Sequence, residues 1–432
     1  MSTVRNILVA LLCISPLCLF WDGLIVQGLA SGIAALALAL TARSLRPGET
    51  EFLVSVARPA MIAAAIPAFW VILQIIPFGI VAHPIWKSAS AALHEPIPGS
   101  ISLDRTASII SLGAYLLLAA ITFLSAAVAV DRQRAEWVLF ALCIATCIAS
   151  IIVIGHQFVP YWPMPSAFTQ ATECISLGII IAATILVRAI ERYGIKQHRA
   201  HGEPQSRLPG LKIFIPGLAA LVICGSAFSL LASRQATFAA AFGLLTLASQ
   251  STVRRFELGW WGAMAVTIPA VMIAILLIAS YPTHQPTSPT VAFLDASNPS
   301  SIALSQRMVD DAPVVGIGAG GFKDLAPVYR ENNDPPPGST AATAAANLSI
   351  ELGKPMLWLI VAATASIILV LLRASLQRGR DSFYAAMAAS GLLTISLLAF
   401  VNAGLFGTAT GIIFSAMLGL GLAQSKSRKV HI

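Results

Sequence analysis

Apolar residues along this chain gather into long blocks separated by short polar breaks. The blocks lie near 6–22, 24–42, 59–81, 106–130, 136–155, 170–190, 212–232, 235–250, 258–280, 351–373, 382–401 and 404–424. Each approaches the roughly 17–25 residues that a helix needs to cross a bilayer. The pattern predicts an all-α, polytopic integral membrane protein with about twelve transmembrane helices. The block at 235–250 is short, and only Asn402 to Gly407 divides the last two. The first block has the length of a signal peptide. However, Asp22 follows it, no small-residue cleavage site is evident and a second block comes at once, so it reads as a retained helix.

The polar breaks alternate in character. Arg43 and Arg46 follow the second block, and Arg132 and Arg134 follow the fourth. Arg188, Arg192, Lys196, Arg199, Arg207 and Lys212 cluster after the sixth, and Arg254 and Arg255 follow the eighth. Arg373, Arg378 and Arg380 follow the tenth, and Lys426, Arg428 and Lys429 the last. Lys and Arg are retained on the cytoplasmic side of a membrane, so both termini are expected there, in a bacterial inner membrane. The other breaks are of a different kind. Residues 82–105 (AHPIWKSASAALHEPIPGSISLDR) and 156–169 (HQFVPYWPMPSAFT) are rich in Pro, Trp and His. The largest, 281–350, is a periplasmic loop of about seventy residues, a length that is usually functional or disordered. Three segments result: 1–280 with about nine spans, the loop 281–350, and 351–432 with about three spans and a short cytoplasmic tail.

Composition narrows the class. Charged residues make up 11% of the 432 residues, hydrophobic ones 57%, and the mean hydropathy is +0.81. A soluble domain carries about 25% charged residues, and so little charge cannot cover a water-facing surface. A cytosolic enzyme, a disordered scaffold and a secreted disulfide module are excluded. The net charge of +8 comes from 27 Lys+Arg against 19 Asp+Glu. Because the basic residues sit in loop clusters with no interleaved aromatics, the excess reflects topology and no nucleic acid partner is expected. The six cysteines, Cys13, Cys18, Cys143, Cys147, Cys174 and Cys224, lie in or beside apolar blocks. Cys143 and Cys147 are one helical turn apart, yet no His or carboxylate joins them, so packing is expected and no metal.

Candidate chemistry is confined to the outer side. Ser233-Arg234-Gln235-Ala236-Thr237 is a polar break between two blocks. An arginine there either snorkels or grips an anion such as a phosphate or pyrophosphate. The run Pro313 to Phe322 (PVVGIGAGGF) brings Gly316, Gly318, Gly320 and Gly321 close together. Such glycines let backbone amides approach an anion; the alternative is a tight turn ahead of FKDLAPVYRE, a candidate interfacial helix before the breaker Pro335 to Gly338. A dinucleotide fingerprint lacks its strand and helix context. The outer acidic residues are Asp104, Glu173, Asp295, Asp310, Asp311, Asp324, Glu331, Asp334 and Glu351. Glu351 opens the tenth block, where a carboxylate in the first turn favours a helix N-terminus. Asp22 reads as a helix-end residue. His83, His94, His156 and His284 are candidate general bases without a recognisable partner spacing. GxxxxGK[ST], HExxH and Gly-x-Ser-x-Gly elements are absent, so coupling to ATP is not expected.

In this order of elements the chain resembles the O-antigen ligase and polymerase family of bacterial envelope glycan enzymes. Trp70, Gln74 and Pro77 end a span (WVILQIIPFG), and a proline-rich outer loop closes with GSISLDRTAS at 99–108. Ser233-Arg234 resembles the family's Ser-Arg-x-Ala element, PVVGIGAGGF its glycine element, and Glu351-Leu352-Gly353 enters the next span. The likeness covers about residues 60–424, its specific motifs being confined to 70–108, 233–243 and 312–353. It implies a C-type glycosyltransferase kind of fold and glycan transfer from undecaprenyl pyrophosphate at the periplasmic face. The leaving pyrophosphate supplies the energy, so no cofactor is expected. The implied partners are the lipid-linked glycan, membrane lipids, and lipid A core or a growing polysaccharide as acceptor. By analogy Arg234 holds the pyrophosphate; Arg307 and Arg330, which map onto no family arginine, are further candidate anion ligands, and Gly318 and Gly320 are candidates for substrate binding. Family members usually carry a histidine-bearing segment before Glu-Leu-Gly. Here those positions are Thr340 and Ala342, and the stretch TAATAAANLSI holds no titratable side chain. His284 and Glu351 are the replacement candidates for the proton acceptor. Two alternatives stand beside this reading: a non-catalytic component of a polysaccharide assembly complex, and a transporter of an envelope lipid or anion. The near absence of ionisable residues within the spans argues against ion-coupled transport.

Overall fold

The computed structural model describes residues 1–45, 47–78, 82–158, 168–199, 208–255, 290, 299–331, 340–377 and 381–426. Among these residues all regular structure is helical. The helices are α1 (Ser2–Ile14), α2 (Leu24–Ser44), α3 (Pro47–Ile75), α4 (Ile85–Leu93), α5 (Arg105–Val128), α6 (Arg132–Phe158), α7 (Phe168–Arg199), α8 (Leu208–Leu231) and α9 (Arg234–Arg255). They continue as α10 (Pro299–Asp311), α11 (Phe322–Leu325), α12 (Ala344–Glu351), α13 (Lys354–Gln377), α14 (Ser382–Leu398) and α15 (Thr408–Ala423).

Nine helical segments of the described residues are long and apolar enough to cross a membrane. They correspond to the first eight blocks and the tenth. The last two blocks form the shorter helices α14 and α15, and the block at 258–280 lies outside the described residues. The short pair is nearly all buried, at the centre of the bundle: α14 packs on α7, α9 and α13, and α15 on α5, α6 and α7. Helices surrounded by protein need not match the thickness of the hydrocarbon layer, because neighbouring helices, not lipid, surround their ends.

The alternation of loops is realised in space. Arg5 stacks over Trp137 at 5.4 Å, Arg132 pairs with Asp381 at 3.2 Å, and Lys426 Nζ donates to Ser55 O at 3.0 Å. Ser375 Oγ donates to Gln250 Oε1 at 2.6 Å, and Gln424 Nε2 donates to Ala129 O. Among the described residues these contacts gather the starts of α1, α3 and α6 and the ends of α5, α9, α13 and α15 at one end of the bundle. The breaks between the basic clusters meet at the other, the loop end.

Two charged residues depart from their expected places. Arg188 and Glu173, read from sequence as loop residues on opposite sides, both lie inside α7 and are buried. Arg188 is accommodated by an ion pair with Glu136 of α6 and by stacking over Phe383 at 5.4 Å, so it has no need to snorkel. Glu351 also moves. It ends α12 instead of opening the next span, because Gly353, at φ +92°, breaks the helix and α13 restarts at Lys354.

The described parts of the large loop fold into a cap on the loop end. Leu304 and Met308 of α10 close with Ile317, Phe322, Ala326 and Ile350 into a small apolar core. The Thr343 hydroxyl accepts the Ala346 N–H at 3.0 Å and starts α12. FKDLAPVYRE forms α11 and a 3-10 turn at Ala326–Tyr329, as the sequence suggests.

Candidate functional site

Three segments far apart in the chain close into one hydrogen-bonded hub beneath the cap. The first is the end of α3. Trp70 Nε1 donates to Leu352 O at 2.9 Å, and the buried Gln74 amide donates to Val315 O at 2.9 Å and Glu351 O at 3.0 Å. The second is 100–108. Ser102 N donates to Gln74 O and Leu103 N to Ile317 O, both at 3.0 Å, and the Ser108 hydroxyl donates to Ala319 O at 2.8 Å. The third is the glycine loop, whose Ile317 N and Gly318 N donate to Ile350 O and Glu351 O at 3.0 Å.

Glycine is required in this loop. Gly316, Gly318 and Gly320 lie at φ +78°, +102° and +77°, a region that side chains strain. A Cβ on Gly316 would overlap the Glu351 carbonyl, and one on Gly318 would sit 2.5 Å from Ser102 Cα. The loop does bring amides to an anion, but that anion belongs to the chain itself. Glu351 Oε1 accepts the Phe322 N–H at 3.5 Å, and the Gly320 N–H and the Asn347 side chain stand beside the carboxylate. Burial pushes its pKa up to about 7, and those three groups pull it partly back. A carboxyl at this value exchanges its proton near neutral pH, which suits a proton acceptor.

The outer edge of the hub is an arginine–tryptophan stack. Arg105 lies over Trp86 at 5.3 Å and donates from Nε to Ser100 Oγ at 3.1 Å, while Trp86 Nε1 donates to Ser102 O at 3.3 Å. Asp104 caps α5 by accepting the Thr106 N–H at 2.8 Å. His83 stands close by, and its Nδ1 accepts the Ile85 N–H at 3.3 Å. Burial holds its imidazole below the ordinary histidine value. The neutral ring therefore carries its proton on Nε2 and offers no free acceptor nitrogen. His94 is an exposed helix-end residue in the left-handed region, and His156 lies in the last turn of α6. His284 and the breaker at 335–338 fall outside the described residues.

The arginines distribute between the bundle and the cap. Arg234 opens α9, is exposed, and makes no hydrogen bond or ion pair among the described residues. Ser233 caps the helix beneath it, accepting the Ala236 N–H at 3.2 Å. Arg307, on α10, pairs with Glu331 at 2.6 Å, and Arg330 is the exposed residue next to that glutamate. The turn bearing Arg330 packs on α10, so these two arginines share the cap, whereas α9 packs on α7, α13 and α14. Asp310 and Asp311 end α10.

A second polar site at the loop end has no counterpart in the sequence reading. Glu173, one turn inside α7, is 1% exposed, and neither carboxylate oxygen has a hydrogen bond of normal geometry. Its position in an apolar block was the available signal, because an ionisable residue inside a span is expensive. All six cysteines are free thiols, and no cluster of three or more His, Cys, Asp or Glu suited to a metal occurs among the described residues. No protein-family model and no curated protein matches this chain.

Proposed function

We propose that this chain is a multi-pass protein of a bacterial inner membrane that transfers or polymerises glycan from an undecaprenyl-pyrophosphate-linked donor at the periplasmic face. The observation that carries this reading is the hub. Of the segments on which the family resemblance rests, those at 70–74, 99–108, 313–322 and 351–353 are joined there by direct hydrogen bonds, whereas 233–243 belongs to α9, which packs on α7, α13 and α14. In the proposed reaction an acceptor hydroxyl attacks the anomeric carbon of the lipid-linked sugar. The carbon–oxygen bond to pyrophosphate breaks, and the pyrophosphate leaves with the bonding pair. Arg234 binds the pyrophosphate, a role suited to an exposed guanidinium at a membrane boundary. Glu351 takes the hydroxyl proton, which its near-neutral pKa favours. Deleting the gene is expected to alter surface polysaccharide on gels, and Arg234→Ala to reproduce the change. An unaltered profile in the deletion strain rejects the reading.

A non-catalytic place in a polysaccharide assembly complex is the second reading. It is favoured by the segment 340–350, which has no titratable side chain at the positions where the family keeps histidine.

A further inference from the structure

We propose that the first turn of α7 and the turn at 402–408 form a binding site for a small, hard monovalent cation, sodium.

The site holds more acceptors than donors. Glu173 presents two buried carboxylate oxygens without a bond of normal geometry, and the buried Gln170 Oε1, one turn earlier on the same helix, has no partner. Both side chains are seated on glycines. A Cβ on Gly404 would overlap the Glu173 carboxylate, and one on Gly407 would overlap the Gln170 amide. The donors nearest Glu173 are neutral, the Asn402 side chain and the Gly404 N–H. The one other carboxylate here is already satisfied. Asp22 accepts from Gln170 Nε2 at 2.9 Å, from Thr408 N at 3.2 Å and from Thr408 Oγ1 at 2.6 Å. Thr410 Oγ1 donates to Gln170 O at 3.1 Å, and α12 presents only the Ala344 and Ala345 amides, bonded to Asn402 O and Ala399 O. No Lys, Arg or His pairs with Glu173 or Asp22 among the described residues.

Glu173 is therefore a buried carboxylate with neither a cation nor a hydrogen bond of normal geometry, a costly state. Unpartnered buried acceptors call for a donor or an ion. A single proton on Glu173 gives one O–H and satisfies at most one further acceptor. A cation held by oxygen atoms serves carboxylate and amide acceptors alike. Asp22 is already satisfied by three donors, so the ion answers the charge of Glu173, and carboxylate and amide oxygens favour a hard ion. Broken helical segments with exposed acceptors hold sodium in this manner in other membrane proteins. Through Asn402 and Ala399 the same turn supports the start of α12, whose last residue is Glu351.

The test is thermal unfolding of the purified full chain in detergent at pH 7.5. Sodium chloride is titrated against choline chloride and potassium chloride at equal ionic strength, for wild type and Glu173→Gln. Sodium is expected to raise Tm by roughly 2 °C or more in wild type and not in Glu173→Gln, with choline inert in both. A wild-type Tm indifferent to sodium overturns the proposal. So does a Tm that follows pH in wild type alone and ignores sodium, since the positive charge is then a proton. Should Glu173→Gln fail to fold, Asp22→Asn replaces it. The loss of negative charge beside the site is expected to raise the half-maximal sodium concentration several-fold, and an unchanged midpoint counts against the site.

Discussion

Glu351 and Glu173 are both buried carboxylates at the loop end of the same bundle, and only Glu351 accepts a hydrogen bond of normal geometry. Glu351 accepts the Phe322 N–H at 3.5 Å, with the Gly320 N–H and the Asn347 amide beside it, next to a loop of positive-φ glycines. Glu173 rests against a glycine, with neutral donors beside it and no hydrogen bond of normal geometry. A carboxylate enclosed by oriented amides locks a fold. One left short of donors is a place where the fold expects something else. The difference separates a structural keystone that also holds a near-neutral proton from a candidate ion site.

The comparison breaks most clearly at the two glycines. Gly316→Ala places a Cβ against the Glu351 backbone at a positive φ, so neither partner can yield. It is expected to cost about 3 kcal/mol or more. Gly404→Ala meets only the tip of the Glu173 side chain, which can swing aside, so about 1 kcal/mol is expected. Equal losses in thermal unfolding contradict the assignment of backbone rigidity to the hub alone.

Glu351→Gln comes next. A pKa raised from 4.5 to about 7 means that the folded state binds more protons than the unfolded one between those values. Stability from this group is therefore full below about 4.5 and declines as pH rises through 7, by up to about 3 kcal/mol. Unfolding measured from pH 4.5 to 8 is expected to show that decline in wild type and a flatter profile in Glu351→Gln. The smallest effect belongs to the Arg307–Glu331 pair, with side chains 34% and 73% exposed. Arg307→Ala is expected to change stability by less than about 1 kcal/mol. A larger loss would move Arg307 from the cap surface into its supporting structure.

Hydropathy and charge alternation made most of the bundle legible, because membrane spans and their basic ends follow from local composition. What composition could not convey was tertiary. The glycine run points to an anion near its amides, and the fold places there the chain's own Glu351 carboxyl, about thirty residues away in sequence. The helix break at Gly353 depends on the left-handed turn packed against Val314 and Gly316, so Glu351 was assigned to the wrong helix. Arg188 was read as a loop cation because Glu136 and Phe383, its partners, belong to other helices. Glu173 was counted among outer loop charges although its own block ran past it, and that inconsistency was visible in the sequence. Because α7 buries both residues, the spans are not free of ionisable groups, and ion-coupled transport is less disfavoured than composition implies.

The most direct test of the proposed activity is turnover of an undecaprenyl-pyrophosphate-linked glycan by the purified protein in lipid vesicles with an acceptor polysaccharide. Release of undecaprenyl pyrophosphate together with glycan joined to the acceptor is the predicted result, abolished by Arg234→Ala and by Glu351→Gln. Intact, folded protein that leaves the donor unconsumed would contradict it and favour the non-catalytic reading.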